Sequence, residues 1–173
     1  GFQTFKALRR SDIAILVIDA TEEITKQDQH LAQEIMDMNR GVIIVANKMD
    51  KYQGTEEALR DYISHHLPFL WMSPLFFISA KTGDGIEETL AAIKPIYVNR
   101  HKKIDDDTLY HLITYTLKKN PPKLLRDQKK PKVFGLKQLD VNPPIFELLV
   151  NYPAAISMQY RNSVKNKIIK DLD

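Results

Sequence analysis

Three short apolar runs, each followed by a polar loop and then a helical segment, constrain the fold of this chain more than any other feature. The runs occupy residues 13–18, 42–46 and 75–78. Unbroken apolar runs of this length are typical of strands covered on both faces. Because strands that alternate with helices need right-handed crossovers, the first part of the chain is predicted to be an α/β unit with a parallel sheet.

Helical segments separate and follow these runs. They are predicted over residues 26–39, from residue 55 onward and over residues 85–100, where apolar side chains recur at helical spacing. Phe2, Phe5 and Leu8 indicate one more helix before the first strand. A helix in that position usually follows an earlier strand, so we expect the beginning of this sheet to lie outside the sequence.

The pattern changes after residue 103. A helix containing Leu109 and Leu112 ends at Pro121-Pro122. Two strands over residues 133–140 and 145–150, and a helix from about residue 157, complete a small α+β module. The predicted domains are therefore residues 1–103 and 104–173.

Charge divides the chain in nearly the same place. The net charge is only +3, but residues 1–97 carry 10 Lys and Arg against 14 Asp and Glu, whereas residues 98–173 carry 15 against 8. The first part is thus −4 and the second +7. A basic module joined to an acidic one is typical of a second part that faces a polyanion, and solvated tails and helix faces are the alternative source of the same asymmetry.

Several classes of protein are excluded by composition. The chain has no cysteine, which removes disulfides, thiolate nucleophiles and cysteine-ligated zinc, and which fits a cytoplasmic protein. No apolar run approaches the roughly 18 residues of a membrane span, and no signal peptide is visible, so no membrane partner is expected. His65 and His66 have no third ligand at a metal spacing, and no metal site is predicted.

Two polar loops directly follow the second and third runs. The first is Asn47-Lys48-Met49-Asp50 and the second is Ser79-Ala80-Lys81-Thr82-Gly83. Ligands of open parallel sheets bind outside the carboxyl ends of the strands, where both loops fall. The two loops are therefore expected to converge on one site. The alternative is that they are helix-capping turns that use Asn, Asp and Ser.

The pair of loops resembles the guanine-recognition signature of translation-factor-like GTPases. Guanine presents two adjacent N–H donors, and the Asp50 carboxylate is able to accept both. Adenine lacks that donor pair, so a buried Asp50 would lose its partners.

The resemblance also implies roles for the neighbouring residues. The Asn47 amide holds the purine, and the Lys48 methylenes lie along one face of the base. The Ala80 backbone N–H donates to the guanine carbonyl oxygen, Lys81 covers the other face and Ser79 braces the loop.

The phosphate-binding half of a GTPase is not found in this sequence. None of the six glycines is followed by Lys and then Ser or Thr, and no Asp has Gly three residues later. We therefore predict no catalytic residue and no Mg²⁺ ligand in the chain. It is expected not to hydrolyse GTP, and to bind guanine nucleotides weakly or not at all.

The flanking segments resemble the Der (EngA) family of tandem-domain GTPases. The similar segments are residues 6–12, 17–22 and 24–28 in the first part, and 142–146, 150–153 and 160–162 in the second. The resemblance implies a partial P-loop GTPase domain followed by a KH-like domain without its last strand. It also implies a parent protein that uses GTP and Mg²⁺ and acts in assembly of the large ribosomal subunit. Era, another KH-bearing GTPase, is a less similar alternative.

A basic stretch is the second candidate site. It contains Lys118, Lys119, Lys123, Arg126, Lys129, Lys130, Lys132 and Lys137, against the single acidic residue Asp127. Such a stretch is either a surface that contacts RNA phosphates or a solvated loop. The KH-like part lacks the Gly-x-x-Gly loop by which many KH domains clamp RNA, so that mode of reading is not expected. The alternative function is an RNA- or ribosome-binding module whose GTPase-like part is a non-catalytic scaffold.

Overall fold

The computed structural model describes residues 2–123 and 131–172. The chain divides into two compact units, Gly1–Arg100 and His101–Asp173. Each unit contains its own apolar core. None of the described helices is both long enough and apolar enough to cross a membrane.

The first unit alternates helices and strands. Its elements are α1 (Phe2–Arg10), β1 (Ile13–Asp19), α2 (Lys26–Asp37), β2 (Gly41–Asn47), α3 (Glu56–His66), β3 (Leu75–Phe77), α4 (Ile86–Ala91) and α5 (Ile93–His101). The three strands form one sheet in the order β1-β2-β3, and both pairings are parallel, so the predicted parallel sheet is confirmed.

The central strand β2 lies inside the unit. Every residue from Gly41 to Ala46 is buried. Helices α2 and α3 pack on one face of the sheet, where Ile35 and Ile63 join Leu16 in the core. Burial of branched apolar side chains on this face is the main stabilising contribution of the unit.

Strand β1 differs from its prediction. Its apolar run was expected to be covered on both faces, but Ile15 is 42% exposed and Val17 is 58% exposed, whereas Leu16 is buried. Only one face of β1 is covered along its length by the described elements. An apolar run without alternation indicates a strand but does not show which of its faces is covered.

The helix predicted over residues 85–100 is divided in two. Helix α4 ends at Ala91 and α5 begins at Ile93. Pro95 has no N–H to donate to the Ala91 carbonyl, and its ring disfavours a continuous helix there. The break is thus a consequence of one residue.

The second unit has the predicted order of helix, two strands and helix. Its elements are α6 (Asp106–Lys119), β4 (Val133–Asp140), β5 (Ile145–Val150) and α7 (Met158–Leu172). The strands are antiparallel, with Val133 opposite Val150 and Lys137 opposite Glu147. Both helices contribute to the core, which contains Leu109, Leu112, Ile113, Leu136, Ile156, Tyr160, Val164 and Ile168.

Candidate functional site

The two polar loops lie side by side at the carboxyl edge of the sheet. The pairing of Ala46 with Phe77 places the ends of β2 and β3 next to each other. Beyond the strands, the Ile78 N–H donates to the Ala46 carbonyl at 2.8 Å, and the Met49 N–H donates to the Ile78 carbonyl at 3.1 Å. The sheet therefore continues as backbone bonds into the loops and holds them together.

Two side-chain hydrogen bonds join the loops. The Ser79 hydroxyl donates to Asp50 Oδ1 at 2.7 Å. The Ala80 N–H donates to Asn47 Oδ1 at 3.0 Å. Because each bond links a residue of the first loop to one of the second, the four residues form one bonded group.

Ser79 is the buried member of this group, with 2% of its surface exposed. Its hydroxyl accepts from the Thr82 N–H at 3.2 Å while it donates to Asp50. A buried hydroxyl is costly without partners, and here it has one of each kind. Ser79 therefore fixes both the path of its own loop and the position of the Asp50 carboxylate.

The second loop turns sharply before α4. The Gly83 N–H donates to the Ser79 carbonyl at 2.8 Å, and the Ser79 N–H donates to the Asp84 carbonyl at 3.0 Å. Gly85 has a φ of +74°, and a Cβ there would meet the Phe77 carbonyl oxygen. Only glycine satisfies both conditions at that position.

An ion pair attaches the first loop to β1. Lys48 Nζ contacts Asp19 Oδ2, and Asp19 Oδ1 accepts from both the N–H and the hydroxyl of Thr21, at 2.9 and 2.7 Å. These contacts, with that of Lys48 the largest, lower the pKa of Asp19 from 3.8 to about 2. The same contact raises the pKa of Lys48.

The alignment of strand ends is the signal that identifies this ion pair. Asp19 is the last residue of β1 and lies opposite Asn47, the last residue of β2. An acidic residue at the end of one strand is thus beside the lysine that follows the end of the next. Once the order of the strands is known, the sequence alone allows their last residues to be aligned in this way.

The predicted base-contacting residues are mostly accessible. Lys48, Asp50, Ala80 and Lys81 are exposed, and Asn47 is half-buried. The Ser79 bond uses one acceptor position of the Asp50 carboxylate, which has others on both oxygens. The Ala80 N–H already donates to Asn47, so a ligand that accepts from Ala80 must share or replace that bond.

The basic stretch is described only in part. Lys118, Lys119, Lys123 and Lys132 are exposed. Arg126, Lys129 and Lys130 lie outside the described residues. Lys118 and Lys119 are in the last turn of α6, where positive charge also favours the helix itself. Within residues 2–123 and 131–172 there is no cluster of three His, Asp or Glu side chains that would hold a metal ion.

Two family models match the chain. The elongation factor Tu GTP-binding domain matches residues 2–119. The KH-domain-like, C-terminal domain of EngA bacterial GTPase enzymes matches residues 103–173. The chain belongs to the Der (EngA) family of GTPases. The resemblance of both units to that family is thereby confirmed, and guanine nucleotides are the ligand class of the family.

Curated Der proteins are similar over nearly the whole chain. GTPase Der of Protochlamydia amoebophila is 35% identical over 169 residues, which are 96% of this chain and 34% of that protein. GTPase Der of Clostridium acetobutylicum is 31% identical over 175 residues, 99% of this chain and 40% of that protein. The chain thus spans between about a third and two fifths of the length of these relatives.

The solved structures that match this chain are less similar to it in sequence than the curated Der proteins are. Era from Aquifex aeolicus superimposes with a TM-score of 0.47 and 22% identity, covering 96% of this chain and 62% of that chain. This likeness is too low to bear on function.

The Asp19–Lys48 contact predicts a measurable pKa. An NMR titration of the Asp19 carboxyl carbon should give a pKa near 2, and Lys48→Met should move it toward 3.8, because the largest cause of the shift is removed. A pKa lowered in the folded state contributes stability above about pH 4 that is lost as the pH falls toward 2. The control is Lys51→Met, which removes an exposed lysine three residues after Lys48 and should leave the pKa of Asp19 unchanged. An Asp19 pKa that stays near 2 in Lys48→Met would contradict the assigned cause.

Proposed function

We propose that the chain provides guanine-base recognition in a cytoplasmic GTPase that acts in assembly of the large ribosomal subunit. In this proposal residues 1–103 are the guanine-recognition part of a GTPase domain, and residues 104–173 are a KH-like domain. Membership of the Der family supports the general function. The observation that carries the site is the pair of bonds Ser79–Asp50 and Ala80–Asn47, which joins two loops of complementary chemistry.

Asp50 is the proposed selective residue. The Ser79 hydroxyl on Oδ1 sets the orientation of its carboxylate, leaving acceptor positions for the two adjacent N–H groups of guanine. A base without that donor pair would cover the carboxylate without satisfying it. Sites built to bond a donor reject analogues that lack it strongly, because the buried polar group is left unpaired.

The other loop residues are proposed to enclose the base. The methylenes of Lys48 and Lys81 lie on its two faces, the Asn47 amide holds the purine and the Ala80 N–H donates to the guanine carbonyl oxygen. The last step requires the present Ala80–Asn47 bond to be shared or exchanged. Ser79 contacts no base and acts by holding Asp50.

No residue of this chain is assigned to the chemical step. GTP hydrolysis in this fold uses a loop ending in Gly-Lys-Ser/Thr and a Mg²⁺ ion bound beside it. Residues 1–173 contain no such motif. We therefore propose no hydrolysis and no Mg²⁺ ligand within this sequence, and assign it the base-recognition role alone.

A change of base preference from guanine to xanthine tests the proposed role of Asp50. In the full-length protein, Asp50→Asn keeps an oxygen for the Ser79 hydroxyl but presents an amide donor to guanine. We expect the affinity for GDP to fall about tenfold or more and that for xanthosine diphosphate to rise, because xanthine carries a carbonyl where guanine carries its amino group. Competition against a fluorescent nucleotide measures both affinities.

The matched control is Asp61→Asn, which neutralises an exposed carboxylate on α3. It should leave both affinities unchanged. An unchanged ratio of GDP to xanthosine diphosphate affinity in Asp50→Asn would show that the base lies elsewhere.

RNA contact by the second unit is a second proposed function. The observation that favours it is the exposure of Lys118, Lys119, Lys123 and Lys132 in a part of the chain with a net charge of +7 over residues 98–173. Lysines in this arrangement contact phosphates without reading sequence. The large ribosomal subunit is the proposed partner, by membership of the Der family.

Salt dependence separates this contact from a solvated loop. Binding of the chain to purified large ribosomal subunits should weaken steeply as the KCl concentration rises. The double variant with Lys129→Glu and Lys130→Glu should bind more weakly. Its slope of log binding constant against log salt concentration should be shallower by about one to two. Lys165→Glu with Lys170→Glu makes the same charge change at exposed positions of α7. Cosedimentation measures the binding. If the two double variants weakened subunit binding equally, or if binding did not depend on salt, the basic stretch would not be the surface that contacts RNA.

A further inference from the structure

Both oxygens of the Asp19 carboxylate are engaged at the edge of the proposed base site. Oδ2 contacts Lys48 Nζ, while Oδ1 accepts from the Thr21 N–H at 2.9 Å and the Thr21 hydroxyl at 2.7 Å. The two bonds from Thr21 fix the direction of the carboxylate before it meets the lysine. The Asp19 side chain is 21% exposed and that of Lys48 is 48% exposed. Asp19 is therefore an oriented acceptor and not a freely rotating surface charge.

Lys48 is held at both ends of its side chain. Its backbone has a φ of +69°, a left-handed conformation that is uncommon for a residue with a Cβ. A turn maintains that conformation, since the Lys51 N–H donates to the Lys48 carbonyl at 2.9 Å. The backbone sets where the side chain starts, and Asp19 sets where its ammonium group ends. The methylenes between these two points are left with few alternative positions.

We propose that Asp19 is a positioning residue for guanine binding, which acts by holding the Lys48 side chain as one wall of the base pocket. This inference rests on the proposed function. Without Asp19, Lys48 would have to give up side-chain entropy when the base binds. With Asp19, that ordering is already present, so the wall is preorganised.

Other acidic groups near Lys48 do not replace Asp19. Glu22 and Asp50 also act on the Lys48 charge, but through space and more weakly than the direct contact with Asp19. The Asp50 carboxylate accepts from the Ser79 hydroxyl, and its remaining acceptor positions are the ones proposed for the two N–H groups of guanine. Glu22 is exposed, and it provides a control in which a neighbouring negative charge is removed without loss of the ion pair.

A double-mutant cycle in the full-length protein tests the inference. Asp19→Asn retains an oxygen for Thr21 but removes the charge that holds Lys48, and Lys48→Met removes the ammonium group. We expect Asp19→Asn to weaken GDP binding about two- to fivefold at low salt, the range of an exposed ion pair, and less in 1 M KCl. In the Lys48→Met background, Asp19→Asn should have no further effect. Glu22→Gln should change the affinity less than Asp19→Asn.

The cycle separates positioning from a merely structural role. An equal loss of affinity from Asp19→Asn with and without Lys48→Met would show that Asp19 acts by another route, and no loss in either background would also overturn the proposal. Should Asp19→Asn unfold the protein, Lys48→Met alone must still weaken GDP binding, and an unchanged affinity would overturn the proposal. The Asp50→Asn variant distinguishes failure of the proposed base site from failure of the positioning role of Asp19 alone. If it fails to alter nucleotide preference, the base site itself is wrong, whereas a switch in Asp50→Asn with no effect of Asp19→Asn refutes only this inference.

Discussion

Burial of the central strand β2 determines where the rest of the first unit lies. All residues from Gly41 to Ala46 are buried, and the strand pairs in parallel register with β1 on one side and with β3 on the other. That register places Asp19 opposite Asn47 on one side and Phe77 opposite Ala46 on the other. Three loops consequently leave the sheet at one edge. The contacts of the candidate site follow from this alignment.

The loops at that edge keep their shape through short polar contacts and not through an apolar core. Ser79 is buried and bonded on both its donor and acceptor sides, while Lys48 and Asp50 remain exposed. Left-handed backbone at Lys48, Gly83 and Gly85 is stabilised by the turns that surround it. A site built in this way presents charged groups to a ligand while their positions are already restricted, which lowers the entropy lost on binding.

Much of this arrangement could be predicted from the sequence, because it depends on local patterns. The apolar runs gave the strands, and the polar residues directly after them gave the two loops of the site. The convergence of Asn47 with Ala80 follows from the general rule for parallel sheets. The exposure of Val17 and the division of the helix at Pro95 were not predicted. The first depends on what packs against a strand, and the second on how one proline competes with an otherwise helical pattern.

The Asp19–Lys48 ion pair shows the limit of reading motifs separately. Asp19 belongs to neither loop, and only the order and register of the strands bring it to Lys48. Polar contacts between residues this far apart in the sequence can be predicted only after the order and register of the strands are known.

We propose that the two loops form one guanine-base site with Asp50 as its selective group. A crystal structure of the full-length protein with GDP bound shows whether the base lies there. We expect guanine N1 and N2 each to lie about 2.7–3.2 Å from an Asp50 carboxylate oxygen, with the Ser79 bond to Asp50 retained. A base bound away from Asp50, or loops separated by loss of the Ser79–Asp50 bond, would contradict it.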